Sequence, residues 1–109
     1  MSSLEKVKSL GYEEIENVGN DVRTTILYRK MDIITFLTSV QCSGEICAMF
    51  IVMINKNKIM VKRAGPSRNV DFVFHMPLFL AQNDEVAVSV IHYRSDQTAD
   101  FECGIFGYQ

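Results

Sequence analysis

Residues 77–109 constrain the fold more than any other part of the chain. A polar turn at residues 82–84 precedes a segment in which Val86, Val88 and Val90 alternate with smaller residues. A second polar turn follows, and an aromatic segment at residues 100–108 closes the chain. Alternation with a period of two is typical of strands, because successive side chains point to opposite faces of a sheet. We therefore predict a sheet-closing β-hairpin whose three valines face the core.

The same alternation begins at Thr24 and continues along the chain in β-branched and aromatic residues. It predicts about seven strands, at residues 24–30, 32–41, 46–54, 58–63, 71–76, 85–93 and 100–108. In the second strand one face is expected to carry Ile34, Phe36, Thr38 and Val40. A hairpin turn is expected at Asn55-Lys56-Asn57, because Asn tolerates positive φ. No crossover helix separates these strands, so the predicted fold class is all-β, an antiparallel β-sandwich of jelly-roll-like form.

A helical signal occurs at the N-terminus. Ser2 and Glu5 have the spacing of a capping box, and Gly11 follows as a stop signal. Apolar residues at helical spacing between them are Leu4, Val7 and Leu10. We predict a short helix of about two turns, which is marginal unless it packs on other elements. Residues 1–23 are thus expected to form a helical or irregular segment packed on a single sandwich domain that spans residues 1–109.

Composition excludes several classes of protein. A net charge of −2 and a pI of about 5.6 argue against a nucleic-acid binder. Charged residues within residues 1–10 leave no apolar centre for a secretory signal, so we expect synthesis in a cytoplasm without a signal peptide. The apolar run at residues 46–54 is shorter than the roughly 20 residues of a membrane helix, so no membrane insertion is expected. Three cysteines give no disulfide framework and indicate reduced thiols.

Charge is unevenly distributed along the chain. Residues 56–76 carry a net charge of +4, whereas residues 77–109 carry a net charge of −4. Two interpretations remain open at this point. The charges form ordinary solvated faces, or they form a polarised surface that orients a partner protein.

No residue pattern requires catalysis. His75 and His92 lack the spacing of a metal motif, and the cysteines at positions 42, 47 and 103 form no Cys-x₂-Cys pair. A zinc site assembled from three cysteines and one histidine by the fold is a minor alternative. No strand-to-helix turn surrounds a cysteine, and many carboxylates fall at turns, where they commonly cap backbone N–H groups. We predict a protein that is not an enzyme, with no catalytic residues, no metal and no cofactor.

The unbroken apolar run at residues 46–54 predicts a strand covered on both faces. One face meets the core, and the other meets the N-terminal segment, a loop or another subunit. A protein partner in a larger assembly, a second copy of the chain included, is expected to contact this strand and the basic segment after it. The predicted interface residues are Met49, Ile51, Met53, Lys56, Lys58, Lys62 and Arg63.

Aromatic residues are expected to fill the core in the main. A platform for sugar stacking needs exposed rings, and Tyr93, Phe106 and Tyr108 are the candidates at strand ends. Of these, Tyr93 and Tyr108 are the predicted sugar contacts.

Residues 78–86, together with residues 100–108, resemble the closing strands of C1q/TNF-like jelly rolls. Those domains have a Gly where this chain has Asn83 and a Ser where it has Cys103. The chain is also similar in size and character to small β-sandwiches of siphophage tails and baseplates, including the shoulder domain of receptor-binding proteins. This resemblance implies a structural protein of a virion tail or host-adsorption device that acts through protein–protein contacts. The alternative function is a β-sandwich module that binds carbohydrate or another cell-surface ligand.

Overall fold

A computed structural model of the chain describes residues 7–64, 69–93 and 97–109. These residues form eight strands and no helix. The strands are β1 (Lys8–Val18), β2 (Thr24–Lys30), β3 (Thr35–Gly44), β4 (Ala48–Ile54), β5 (Asn57–Ala64), β6 (Val70–Leu80), β7 (Glu85–Ile91) and β8 (Ala99–Tyr108). No helix in this part of the chain is therefore long and apolar enough to cross a membrane.

The strands form two antiparallel four-stranded sheets. Sheet A has the order β1-β8-β3-β6, and sheet B has the order β2-β7-β4-β5. Only β4 and β5 are consecutive strands that pair with each other, so the other connections carry the chain from one sheet to the other. This order is that of an eight-stranded jelly roll. The all-β class and the sandwich are confirmed, with eight strands in place of about seven.

The inner faces of the two sheets form one apolar core. Phe50 of β4 and Phe101 of β8 meet across it, with ring centroids 5.8 Å apart and the rings close to perpendicular. Val86, Val88 and Val90 are completely buried in this core, as the alternation in β7 predicts. Continuous apolar packing between the sheets is the main source of stability in such a sandwich.

The predicted hairpin of the last two strands is wrong. β7 lies in sheet B between β2 and β4, whereas β8 lies in sheet A between β1 and β3. Alternation identifies the buried face of each strand but carries no information about its hydrogen-bonding partner. The connection between β7 and β8 thus crosses the sandwich instead of turning back within one sheet.

The predicted N-terminal helix is also wrong where the structure describes it. Residues 8–10 belong to β1, which pairs with β8 in the register Tyr12 opposite Gly104 and Glu14 opposite Glu102. Ser2 and Glu5, which suggested the capping box, lie outside the described residues. Helical spacing of a few apolar residues is a weak preference, and pairing with the edge of a sheet overrides it.

A bulge changes the side-chain parity of β3. The pairing of β3 with β8 shifts between Leu37 and Ser39, which leaves Thr38 as an extra residue. Leu37 and Val40 are both buried in the core, although their parity differs. The predicted common face is therefore wrong: Phe36 lies on the outer side of sheet A, and Ile34 precedes the strand and is 53% exposed.

The β4–β5 hairpin is as predicted. Asn55 and Lys56 both have positive φ, 50° and 70°. Two consecutive residues of this kind form the tight turn whose twist matches that of paired antiparallel strands. The sequence Ala64-Gly65-Pro66-Ser67 predicts a break after β5, and residues 65–67 lie outside the described residues.

Polar side chains close the two open rims of the sandwich. Arg29 of β2 forms an ion pair with Glu13 of β1, with 2.7 Å between Nη2 and Oε2. At the other rim, Nζ of Lys62 donates a hydrogen bond of 2.8 Å to the backbone oxygen of Asp71 and lies 5.6 Å from the centre of the Phe72 ring. Each contact joins an edge strand of sheet B to an edge strand of sheet A.

Candidate functional site

A hollow lies at the centre of the outer face of sheet A. Its floor is Gly104 of β8, which pairs with Tyr12 of β1 on one side and Gln41 of β3 on the other. A Cβ atom at Gly104 would lie 3.2 Å from the Phe106 ring, a tight contact, and would occupy part of this space. The hollow has a volume of about 170 Å³. Its outward-facing lining includes Tyr12, Gln41, Ser43, Asn69, Glu102 and Phe106.

Tyr12 is held by two carboxylates, one on its own strand β1 and one on the neighbouring strand β8. Its hydroxyl oxygen lies 2.7 Å from Oε2 of Glu102 and 2.9 Å from Oε2 of Glu14, so it donates its hydrogen to one or the other. The bond to Glu102, and secondly the bond to Glu14, raises the pKa of Tyr12 well above its ordinary value. The phenol therefore remains protonated at neutral pH, and its ring is held beside the hollow.

A larger cleft of about 420 Å³ continues from this hollow and shares Ser43, Asn69 and Glu102 with it. Carboxylates dominate its polar lining, which includes Glu14, Glu16, Glu45, Asp100 and Glu102. Two of these also fix the loops around the cleft. Glu45 accepts a hydrogen bond of 2.8 Å from the backbone N–H of Asp100, and the Asp100 carboxylate accepts one of 3.0 Å from the N–H of Asn17. The hollow and the cleft together form one polar and aromatic surface, the Tyr12 groove.

An aromatic row crosses the same face of sheet A. The Phe36 ring stacks on Tyr108 at a centroid distance of 5.1 Å and meets Phe79 edge-on at 5.6 Å. Tyr108, a predicted sugar contact, is thus half-buried within this row. Tyr93, the other predicted contact, is 60% exposed on the connection between β7 and β8. The structure therefore places the two predicted contacts at opposite ends of β8.

The outer face of sheet B is apolar at its centre. Met49, Ile51 and Met53 of β4 point outward, because Phe50 and Val52 between them point into the core. Direct partners of this row are Ile91, Ser89 and Ala87 on β7 and Arg63, Val61 and Lys58 on β5. Ile51 is only 4% exposed, and Met49 and Met53 are partly buried, although no helix covers this row among the residues that the structure describes. We call the surface formed by Met49, Ile51, Met53, Val61 and Ile91 the apolar face.

The structure divides the predicted interface residues into two groups. Met49, Ile51, Met53, Lys58 and Arg63 share the outer side of sheet B. Lys56 lies in the β4–β5 turn, and Lys62 closes the rim against β6. Lys62 and Arg63 are adjacent in β5, so their side chains point to opposite faces of sheet B. Lys62 pairs with the core residue Phe50 and therefore lies on the inner side.

Two of the three thiols and one of the two histidines are buried in the structure. Cys42 and Cys103 are buried direct partners on β3 and β8, and hydrogen bonding to Cys103, with burial, raises the pKa of Cys42. A thiol in this environment is a poor nucleophile. The buried His92 ring nitrogen Nε2 lies 2.8 Å from the backbone oxygen of Val18. Among these residues, no three His, Cys, Asp or Glu side chains are placed to hold a metal ion.

The sequence interpretation did not identify most of the groove. Tyr12, Gln41 and Glu102 belong to three different strands, and only strand pairing brings them together. One signal was available in the sequence. Tyr12, Glu14 and Glu16 alternate with Glu13 and Ile15, which is also the pattern of an edge strand with one polar face.

No protein-family model and no curated protein matches the chain. Among solved structures, the chain is similar to the CBM36-1 domain of a multidomain xylanase from the hindgut metagenome of Trinervitermes trinervoides. The two share 10% sequence identity and a TM-score of 0.48, over 94% of this chain and 90% of that one. At this level the similarity is one of general architecture, so no binding or catalytic property is transferred from that domain.

Proposed function

We propose that the chain is a carbohydrate-binding module without catalytic activity, whose ligand lies in the Tyr12 groove. The observation that carries this proposal is the convergence of aromatic rings and hydrogen-bonding groups around the Gly104 floor. Tyr12 and Phe106 supply the rings, and Gln41 and Asn69 supply amides.

The chemistry of a sugar ring fits such a surface. A pyranose presents C–H groups on its flat faces and hydroxyl groups around its edge. The C–H faces pack on aromatic rings, while the hydroxyls need both donors and acceptors when water is displaced. Amides provide both kinds of group, and a carboxylate provides strong acceptors. A shallow groove with few charged donors therefore suits a polyhydroxylated ligand better than a phosphorylated one.

The Tyr12→Ala variant tests the ring contact. We expect its affinity for a glycan identified on an array with the wild type to fall at least about tenfold, or about 1.4 kcal/mol, because the stacking surface is lost. Isothermal titration calorimetry measures this loss. Tyr28→Ala is the matched control, since both tyrosines are 49% exposed but Tyr28 lies on sheet B. It should bind as the wild type does.

Two results would contradict the proposal. The first is the absence of binding on an array that includes plant, bacterial and animal glycans. The second is an equal loss of affinity in the Tyr12→Ala and Tyr28→Ala variants. Incubation of a bound glycan with the protein should release no new reducing ends, because we propose binding alone.

A second candidate function is that of a component in a protein assembly, a phage virion included. The apolar face of sheet B favours it, because the side chains of Met49, Met53 and Val61 are partly exposed there and can pack against a partner protein. Mass spectrometry of purified particles tests the virion version, and absence of the protein from them would count against it.

A further inference from the structure

The two outer sides of the sandwich carry opposite charge. Carboxylates predominate on the sheet A side, at Glu14, Glu16, Glu45, Asp71, Asp100 and Glu102. Cations predominate on the sheet B side, at Arg23, Lys30, Lys58 and Arg63. One carboxylate, Glu85, also lies on that side, where it pairs with Lys30. These residues come from many parts of the chain, so their separation by side results from the fold.

The cations surround the apolar face. Arg63 pairs with Met49, and Lys58 pairs with Met53. The Arg23 guanidinium approaches the Met53 sulfur to 2.7 Å from a third direction. An apolar centre with a charged rim is the usual composition of a protein–protein contact. Methionine side chains also adapt readily to a partner surface.

This chain itself offers a surface of complementary chemistry. The outer face of sheet A combines its carboxylates with exposed apolar side chains, including Tyr12 and Val73, which is 61% exposed. A symmetric contact through sheet B would instead bring together two surfaces on which cations predominate, which is unfavourable.

We propose that the apolar face of sheet B docks on the outer face of sheet A of a second copy, head to tail. Lys58 and Arg63 then face Glu14 and Glu102 of the neighbouring copy. Because each copy retains one free face of each kind, the contact repeats and yields a filament or a closed ring. This inference does not depend on the proposed function, although a glycan and a second copy would compete for sheet A.

Sedimentation velocity of the wild type provides the first measurement. We expect association that increases with concentration at roughly 20 mM salt and weakens strongly at about 500 mM, because salt screens the contact between the rims. A wild type that remains monomeric at about 1 mM protein and low salt would overturn the inference.

Charge exchange provides the decisive comparison. The variant Lys58→Glu/Arg63→Glu loses the basic rim, and the variant Glu14→Lys/Glu102→Lys loses its acidic counterpart. Each alone should associate at least about tenfold more weakly than the wild type. An equimolar mixture should regain association, because each contact then joins opposite charges again.

The control variant Lys8→Glu makes the same change in net charge as Lys58→Glu alone. Lys8 pairs with Gly107, whose other partner Leu37 faces the core, so Lys8 does not lie on the outer face of sheet A. It should associate as the wild type does. An equal loss of association in this control shows a net-charge effect and overturns the inference. A mixture that stays monomeric also overturns the inference. A Glu14→Lys/Glu102→Lys variant that associates like the wild type overturns it as well, because it indicates a symmetric contact through sheet B. Circular dichroism confirms that each variant is folded.

Discussion

At the scale of single residues, Tyr12 links the edge strand β1 of sheet A to its neighbour β8. Its hydroxyl contacts Glu14 on its own strand and Glu102 on β8. The three side chains share one face because Tyr12 pairs with Gly104 and Glu14 pairs with Glu102. The ring next to the hollow is therefore oriented by hydrogen bonds before any ligand arrives, which reduces the entropy lost on binding.

The Glu102→Gln substitution should lower the pKa of Tyr12 toward its ordinary value of 10.0, because it removes the nearer negative charge and weakens the main hydrogen bond. Alkaline titration of tyrosinate absorbance, with Tyr12→Phe as the subtraction, measures this shift. Since the folded-state pKa is raised, the stabilisation is complete below pH 10.0 and is lost as the pH rises through the folded-state value. An unchanged titration in Glu102→Gln would show that the contact does not form. Glu85→Gln, beside Tyr28, is the matched control and should leave Tyr12 unaffected.

Gly107 marks a close approach between β8 and β3. A Cβ atom there would overlap the backbone oxygen of Phe36, which cannot rotate away as a side chain does. We expect Gly107→Ala to destabilise the protein by about 1–3 kcal/mol, measured by urea denaturation. Gly19→Ala is the control, because a Cβ atom added there would have no atom within 4 Å apart from its chain neighbours. Equal stability of the two variants would contradict the close packing of the central strands.

At the scale of elements, alternate side chains of β4 point to opposite faces of sheet B, one toward the core and the other outward. Phe50 and Val52 are buried between the sheets, while Met49 and Met53 are only partly buried on the outer side. The unbroken apolar run therefore has one row in the core and one outer row, in which Met49 and Met53 are partly exposed and Ile51 is buried. The sequence predicts both rows, and the structure shows which row faces which side.

Phe50→Ala should cost about 3–5 kcal/mol of stability, because it leaves a cavity between Phe101 and the rest of the core. Met49→Ala, on the same strand but the opposite face, should cost less than about 1.5 kcal/mol. Chemical denaturation of both variants measures the difference. A larger loss in Met49→Ala than in Phe50→Ala would reverse the assignment of the two faces.

Strand boundaries and turns were predictable from the sequence where residues adjacent in the chain determine them. β2 spans the predicted residues 24–30, and the turn at Asn55 and Lys56 follows from the conformational preference of its residues. The parity of β3 was not predictable, because the extra residue Thr38 results from pairing with β8. β1 was missed for the same reason, since β8 supplies its hydrogen bonds.

At the scale of the whole molecule, topology brings together residues from distant parts of the chain. It gathers carboxylates on one outer side and cations on the other, and this asymmetry underlies the head-to-tail contact that we propose. The same topology gathers Tyr12, Gln41, Asn69 and Glu102, from four separate parts of the chain, around Gly104. The proposed carbohydrate binding and the proposed self-association would therefore compete for one face of the sandwich.

The sequence by itself determined the all-β class, most strand positions and the buried valines of β7, because these depend on local periodicity and residue preference. Tertiary structure alone decided that β7 and β8 belong to different sheets and that residues 8–18 form an edge strand. It also decided which polar side chains meet in the Tyr12 groove. The physical reason is that strand pairing is a long-range contact: each strand offers the same backbone hydrogen bonds to any partner, and the packing of the complete core selects among them.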